Sequence, residues 1–265
     1  MLVRLIMLTA ATAFLLLPAE KMTVLAVFAH PDDEIAVAPL LAKYAAEGND
    51  VYLATITSGQ VGGNNTDIPE GAELGAAREK ELACSAKRLG IHKPFALGFQ
   101  DGNTASREAL GPIVGRVREV MNEVKPDVVV TWGPDGMSGH PDHRIASAVT
   151  TEVFLRRELL EDPPAKLYYV EIPASSLPED ASAVGLPRMP GAVSDEFLTT
   201  VVDADEYLDQ TFAAMQCHVT QWAPVERMRK MFEMRKKLMG GKIYLRRVWP
   251  ASGDKEADIL AGLKK

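Results

Sequence analysis

The stretch VLAVFAHPDDEIAVAPLLAKYAAEG, residues 24–48, decides how the rest of the chain is read. Its first six residues are apolar without alternation, so both faces need cover, as in a strand buried within a parallel sheet. The run stops at His30. Three carboxylates follow, Asp32, Asp33 and Glu34, and residues 35–47 then read as a helix closed by Gly48. A buried strand passing through a polar turn into a helix is the start of a βα unit.

The unit recurs. DVYLATIT (50–57), PFALGF (94–99), DVVVTW (127–132) and KLYYVEI (166–172) are apolar runs of strand length, and residues 72–89, 106–124 and about 141–158 read as the helices that alternate with them. This alternation predicts an α/β fold: a Rossmann-like, doubly wound, mostly parallel sheet with helices on both faces. FLTTVVDA (197–204) reads as an edge strand and KIYLRRVWP (242–250) as a late strand. Residues 173–196, rich in Pro, Ala and Ser, read as a long surface loop. With no internal repeat and no second core, residues 21–265 read as one domain.

Composition narrows the function. A net charge of −7 over 265 residues lacks the basic footprint of a nucleic-acid binder. The basic run RMRKMFEMRKK (227–237) interleaves Met and Phe at helical spacing and reads as an amphipathic helix with a solvated face. Gly62 and Gly63 form no dinucleotide fingerprint, because no GxGxxG follows the first strand. Residues 1–20 hold an apolar run, Leu5 to Leu17, shorter than the roughly 20 residues of a membrane span and suited to the core of a signal peptide or N-terminal anchor. Export to the periplasm or outside the cell is the expectation, with membrane contact only if that segment stays uncleaved. A true start at Met22 would instead leave a cytoplasmic protein. Cys84 and Cys217 fit no metal-site spacing and read as buried thiols, with a disulfide left open. On a helix, Cys217 and His218 would point about 100° apart, which disfavours a nucleophile pair.

The chemistry gathers at one edge. In open α/β sheets ligands bind beyond the carboxyl ends of the strands. His30, Asp32 and Asp33 follow the first predicted strand, Asp101 the third, and His140, Asp142 and His143 the fourth. Two imidazoles and one carboxylate with a position left open form the pattern of a catalytic zinc site. Asp32 and Asp33 are adjacent and point different ways, so one can bind metal while the other faces a water. Taken singly, each piece has a plainer reading: acids at a helix start cap free N–H groups and favour the macrodipole. Their concentration in two loops at one edge favours the metal site. Glu34 and Asp142 are read as structural or as supports for the ligands.

AHPDDE (29–34) together with GHPDH (139–143) resembles the LmbE/PIG-L family of zinc-dependent N-acetylglucosaminyl deacetylases. REKELACSAKRLGI (78–91) resembles that family's Arg-led helix, LGFQDG (97–102) its Leu-Gly-aromatic segment, and CHVTQ (217–221) a weaker late element. The resemblance implies His30, Asp33 and His143 as ligands of Zn2+, with Fe2+ an alternative. It implies Asp32 as the general base and His140 as the group that steadies the oxyanion or protonates the leaving amine. Arg78 and Asp101 would hold sugar hydroxyls. For Arg78 an ion pair with Glu79 or Glu81, and for Asp101 a turn role before Gly102, stand as equal alternatives. The expected reaction is removal of an acetyl group from an N-acetylglucosamine-like sugar. The alternatives are de-N-acylation of another glycoconjugate or lipid-linked sugar, or a non-catalytic sugar-binding module.

Overall fold

The computed structural model describes residues 20–177 and 192–264. Strand β1 (Thr23–Phe28) is buried at every residue, as its unbroken apolar run requires. A 3-10 turn, Asp33–Ala36, separates it from α1 (Ala38–Ala46), so the single helix expected over 35–47 is divided. Pro39 lies in the first turn of α1, where its missing N–H breaks no helical bond.

The chain continues through β2 (Asp50–Thr57), α2 (Ala72–Leu89), β3 (Phe95–Phe99), α3 (Arg107–Val124), β4 (Val128–Trp132), α4 (Pro141–Leu155) and β5 (Lys166–Pro173). Ser106 caps α3 by accepting from the Ala109 N–H at 3.2 Å. The helix expected to reach 158 ends at Leu155, because Arg156 leaves the helical region, and a 3-10 turn follows at Arg157–Leu159. Of the loop expected over 173–196, residues 178–191 lie outside the described residues. Its ends form a 3-10 turn, Ala174–Ser176, and a two-residue strand β6 (Ala192–Val193) beside β5. Then come β7 (Thr200–Asp203), α5 (Leu208–Met215), α6 (Val219–Trp222), α7 (Val225–Met239) and β8 (Lys242–Trp249).

The main sheet runs β3-β2-β1-β4-β5-β8-β7. The strands from β1 to β5 pair in parallel, and β8 is antiparallel to both β5 and β7. The expected edge strand is β7, and its alternation of buried and exposed residues suits an edge. Strand order reverses at β1 and β4, which opens a crevice beyond their carboxyl ends. Phe28 at the end of β1 packs on Trp132 at the end of β4, with ring centroids 4.4 Å apart, and both are fully buried.

One expectation is overturned here. Cys84 and Cys217 are not free thiols: they are bonded, with Cα atoms 5.8 Å apart, and join α2 to the residue that follows α5 and its C-cap. The two positions lie 133 residues apart, and only the packing of α2 on α5 brings them together.

Candidate metal centre

Beyond β1 the backbone folds over the Asp33 carboxylate, whose Oδ2 accepts from the Ala29 and His30 N–H groups, both at 2.9 Å. Beyond β4 the chain returns through a glycine-rich loop to α4, with His140 as its N-cap and His143 in its first turn. The Trp132 indole stacks on the His143 ring at 5.2 Å and 13°. Gly136 has φ +69°, and a Cβ there would lie 2.7 Å from the His143 Cβ, so the loop needs glycine to reach its place. His30 Nδ1 then lies 3.2 Å from His143 Nε2; Asp33 Oδ1 lies 3.2 Å from His143 Nε2, and Asp33 Oδ2 lies 3.7 Å from His30 Nδ1.

The outer ring nitrogens are committed elsewhere. His30 Nε2 faces the carboxylates of Asp101 at 3.0 Å and Asp142 at 3.3 Å, and His143 Nδ1 faces the Gly136 carbonyl at 3.0 Å. These acceptors draw the ring protons outward and leave both inner nitrogens as lone pairs aimed at each other beside a carboxylate. Three acceptors converging on one point call for a cation. Two ligand atoms on a tetrahedral zinc ion, at about 2.0–2.1 Å each, stand about 3.3–3.4 Å apart, and the 3.2 Å spacings of His143 Nε2 from His30 Nδ1 and from Asp33 Oδ1 fit that. A ring nitrogen of His140 also comes within 4.8 Å of those of His30 and His143.

The electrostatics show the same demand for positive charge, which protons on the rings answer when no cation is bound. Burial works against a charged His30, yet Asp101, Asp142 and Asp33 override it and push its pKa up to about 12. Burial likewise opposes a charged His143, but Asp33 raises it. Asp33 is held well below the carboxylate range, because His143 and His30 outweigh its burial. The point between these groups favours positive charge. His140 is pushed down by burial and by the other two rings. Its Nδ1 accepts from the Asp142 N–H at 3.2 Å, which puts the proton of the neutral ring on Nε2.

Asp32 is held from three sides. Its φ is +105°, a region that non-glycine residues enter only when neighbours enforce it. Its N–H donates to Glu34 Oε2 at 3.0 Å, and its Oδ1 accepts from Arg78 Nη2 at 3.2 Å. Arg78 also donates to the Pro31 and Gly59 carbonyls, at 2.5 and 3.0 Å. Gly59 has φ +68°, and a Cβ there would lie 2.1 Å from the guanidinium and displace it. Burial raises the Asp32 pKa to about 6, with Arg78 opposing and Asp33 adding.

The sequence-predicted residues therefore converge, with two differences in detail. Arg78 pairs with neither Glu79 nor Glu81: Ser58 donates to Glu79, while Thr220 donates to Glu81 through its N–H and hydroxyl. Asp101 is more than a turn residue, because it bonds His30 and accepts from the Val61 N–H at 3.2 Å. Asp142 lies 3.3 Å from His30 Nε2 and accepts from the Gly102 N–H at 2.7 Å and the Thr104 hydroxyl at 2.6 Å. Trp132 was not anticipated, and His218 was singled out only within the weaker late element CHVTQ, without its partner. Trp132, as the last residue of a strand pointing at the site, carried a readable signal; the pairing of His218 carried none, because its partner Glu34 is remote in sequence.

A cavity of about 530 Å3 opens over the centre. His30, Asp32, Asp33, Asp101, His140 and His143 line its polar side, and α7 lines the other.

Residues 25–154 match the family model described as PIG-L, GlcNAc-PI de-N-acetylase. The 1D-myo-inositol 2-acetamido-2-deoxy-alpha-D-glucopyranoside deacetylase of Mycobacteroides abscessus is 34% identical over 227 residues, covering 74% of this chain and 80% of that protein. The protein of that name from Acidothermus cellulolyticus is 29% identical over 91% of this chain and 95% of its own. Among solved structures, the N,N'-diacetylchitobiose deacetylase of Pyrococcus horikoshii matches with a TM-score of 0.62 at 20% identity, over 85% of this chain and 83% of that one. The 4-carboxy-2-hydroxymuconate hydratase of Pseudomonas putida matches with 0.63 at 18%, over 89% and 100%. That likeness shows the shared fold, which hosts more than one reaction.

These relatives overturn the expectation of an exported protein, periplasmic or extracellular. They are bacterial deacetylases named for a small inositol glycoside. The leader segment itself falls on residues 1–19, outside the described residues, and Glu20. Among the described residues no helix is long and apolar enough to cross a membrane.

Proposed function

The chain belongs to the PIG-L (LmbE) family of deacetylases, and from that premise we propose that it hydrolyses the acetamido group of an N-acetylglucosamine-like sugar with the help of a divalent metal. The observation that carries this reading is the convergence of the His30 and His143 lone pairs with the Asp33 carboxylate, their ring protons being committed outward.

His30, Asp33 and His143 would hold Zn2+, or Fe2+, which suits the same donors. Bound there, the ion supplies a Lewis acid that polarises the acetyl carbonyl and acidifies a water. Asp32 takes a proton from the attacking water. Its carboxylate lines the cavity beside Asp33, and its strained backbone and Arg78 fix where it points. Attack on the acetyl carbon leaves negative charge on the former carbonyl oxygen, and the Nε2–H of neutral His140 is a donor for it. Breaking the C–N bond requires a proton on the amine, which Asp32 can return. The products are acetate and the free amino sugar.

Arg78 and Asp101 line the cavity, but their polar atoms are engaged with Asp32 and His30. We assign them to positioning those two residues, with any contact to sugar hydroxyls additional. A sugar-binding module without catalysis is disfavoured, because the chain carries Asp32 beside His30, Asp33 and His143 and its relatives are named deacetylases.

The test is amine release from a panel of N-acylated amino sugars, with metal content read by elemental analysis. The expected result is about one equivalent of metal, amine release lost with chelator and restored by Zn2+ or Fe2+. Turnover indifferent to chelator in metal-free protein would sink the reading.

A further inference from the structure

Cys84 lies on the exposed face of α2, and its bonded partner Cys217 is half-buried. A small thiol in solution therefore has a sulfur within reach. The residue after each cysteine faces inward. Ser85 and His218 are buried, and both reach Glu34 Oε1, at 2.5 and 2.6 Å. Glu34 Oε2 in turn holds the Asp32 N–H at 3.0 Å. A chain of contacts thus runs from a covalent bond at the surface to the residue proposed as base.

The segment that carries Cys217 is held by polar contacts more than by a core. An isolated helix below roughly 12–15 residues is marginal in water, and α6 has four. The buried residues of the segment, His218, Thr220 and Gln221, are all polar, and Val219 is exposed. Thr220 donates to Glu81 at 2.9 and 2.7 Å, while Gln221 bonds the Gly62 carbonyl and the Asn64 amide. On opening, such bonds are exchanged for bonds to water, so the disulfide is the link that does not yield. Reduction leaves the Cys217 sulfur an acceptor, the Ala213 carbonyl at 3.7 Å.

We infer that the Cys84–Cys217 bond is a thiol–disulfide exchange site through which a small thiol controls turnover. A thiolate attacks Cys84 Sγ, the S–S bond breaks, and its electron pair leaves on Cys217 Sγ, which takes up a proton. A second thiolate attacks the external sulfur of the mixed disulfide, and Cys84 leaves as a thiolate and is protonated. Two protein thiols and one external disulfide result, so two electrons pass from the small thiol to the protein. With residues 217–221 released, His218 no longer fixes Glu34, and Glu34 no longer fixes Asp32. The effect on rate rests on the deacetylase reading; the exchange itself does not.

Metal-loaded protein is reduced with dithiothreitol, freed of it by gel filtration without oxygen and given Zn2+ again, so that chelation by the reagent plays no part. Thiol titration of the native protein is expected to find no thiol before reduction and both cysteines after it. Metal content stays the same. The kcat for amine release falls at least about tenfold, within the roughly 10²-fold that a misplaced catalytic group costs, and reoxidation restores it. Hydrogen exchange on the same samples becomes faster at the amides of residues 30–36, while β4 stays protected over the same minutes. C84S/C217S has the low rate and does not respond to thiol; if it fails to fold, the reduction and reoxidation of the wild type decide. Native protein that yields no thiols, or reduced protein that keeps its full kcat, overturns the inference while the deacetylase reading stands. Opening of β4 together with the turn also overturns it, because the bond then serves global stability alone. If the oxidised, loaded protein releases no amine from any sugar, the deacetylase reading fails. The amides of residues 30–36 then decide the link to Asp32, and exchange unchanged by reduction overturns it.

Discussion

Glu34 and His218 stand 184 residues apart in the chain and meet at 2.6 Å, with neither side chain exposed. Burial opposes both charges, yet each sustains the other: the acid is lowered and the imidazole raised. The same Glu34 oxygen accepts from the Ser85 hydroxyl at 2.5 Å, and the other oxygen holds the Asp32 N–H. The disulfide joins the residues just before Ser85 and His218, so both partners of Glu34 are tethered to one bond. A buried acid thus fixes the turn on which the proposed base and metal ligand sit.

Breaking this pair is expected to be costly. His218→Ala leaves a buried carboxylate without its charged partner, a loss of about 3–5 kcal/mol. For a chain of this size that lowers Tm by roughly 6–20 °C. Calorimetry checks it, and a shift within 2 °C would show that the pair contributes little.

The disulfide is expected to act on the unfolded chain. Closing a loop of this length restricts the denatured ensemble, and its removal typically costs about 2–5 kcal/mol. The Cys84→Ser, Cys217→Ser double variant should unfold at correspondingly lower urea concentration. Thiol titration of the unreduced wild-type protein in denaturant gives the direct check: no thiols are expected, and two would contradict the bond.

What could be read from the sequence follows from the range of the forces involved. Strands β1, β4 and β5 were legible because burial on both faces leaves a local trace of uninterrupted apolar residues. The rule that ligands sit at the carboxyl ends of strands then gathered His30, Asp33, His140 and His143 without coordinates. The Cys84–Cys217 bond and the Glu34–His218 pair were not legible, since each depends on how α5 and the segment after it settle on the rest of the fold. The hold of Arg78 on Asp32 was missed for a related reason: along α2 it has glutamates at hand, and only the tertiary approach of the Pro31 turn supplies the partner it uses. The apolar wall of α7 looked like an ordinary core face, because periodicity does not say whether the far side is protein or cavity.

Metal binding and proton transfer should separate by mutation. Asp32→Asn keeps the three donors and is expected to retain metal while kcat falls by about 10²–10⁴. His143→Ala removes a donor and should lose metal as well as activity. Elemental analysis beside steady-state rates distinguishes them. An Asp32→Asn protein working at near wild-type rate would remove Asp32 from the role of base.

The outward hydrogen bonds of the ligands should matter almost as much. Asp142 holds His30 Nε2, the Gly102 N–H and the Thr104 hydroxyl together. Asp142→Asn is expected to weaken metal binding by about 10–100-fold through the orientation of His30. Competition with a chelator of known affinity measures this, and an unchanged affinity would leave Asp101 as the sufficient anchor.

Glu171 sets a pH dependence of stability separate from turnover. At the site end of β5 its carboxylate lies 2.9 Å from Arg246 and close to Asp135, packed so tightly on Gly133 that a Cβ there would approach to 2.8 Å. Burial raises its pKa from 4.5 to about 7, with Asp135 adding and Arg246 opposing. Because the folded-state value is the higher one, the folded protein keeps a proton that the unfolded chain has released. Nothing is lost below pH 4.5, where both states are protonated. Stability then falls as pH rises from 4.5 to about 7, reaching a deficit of about 3 kcal/mol that persists above it. Glu171→Gln removes the titration, so urea unfolding from pH 5 to pH 8 should show the wild type losing about 2–3 kcal/mol relative to the variant. A difference between the two that stayed constant across that window would mean that the folded and unfolded chains release the Glu171 proton together.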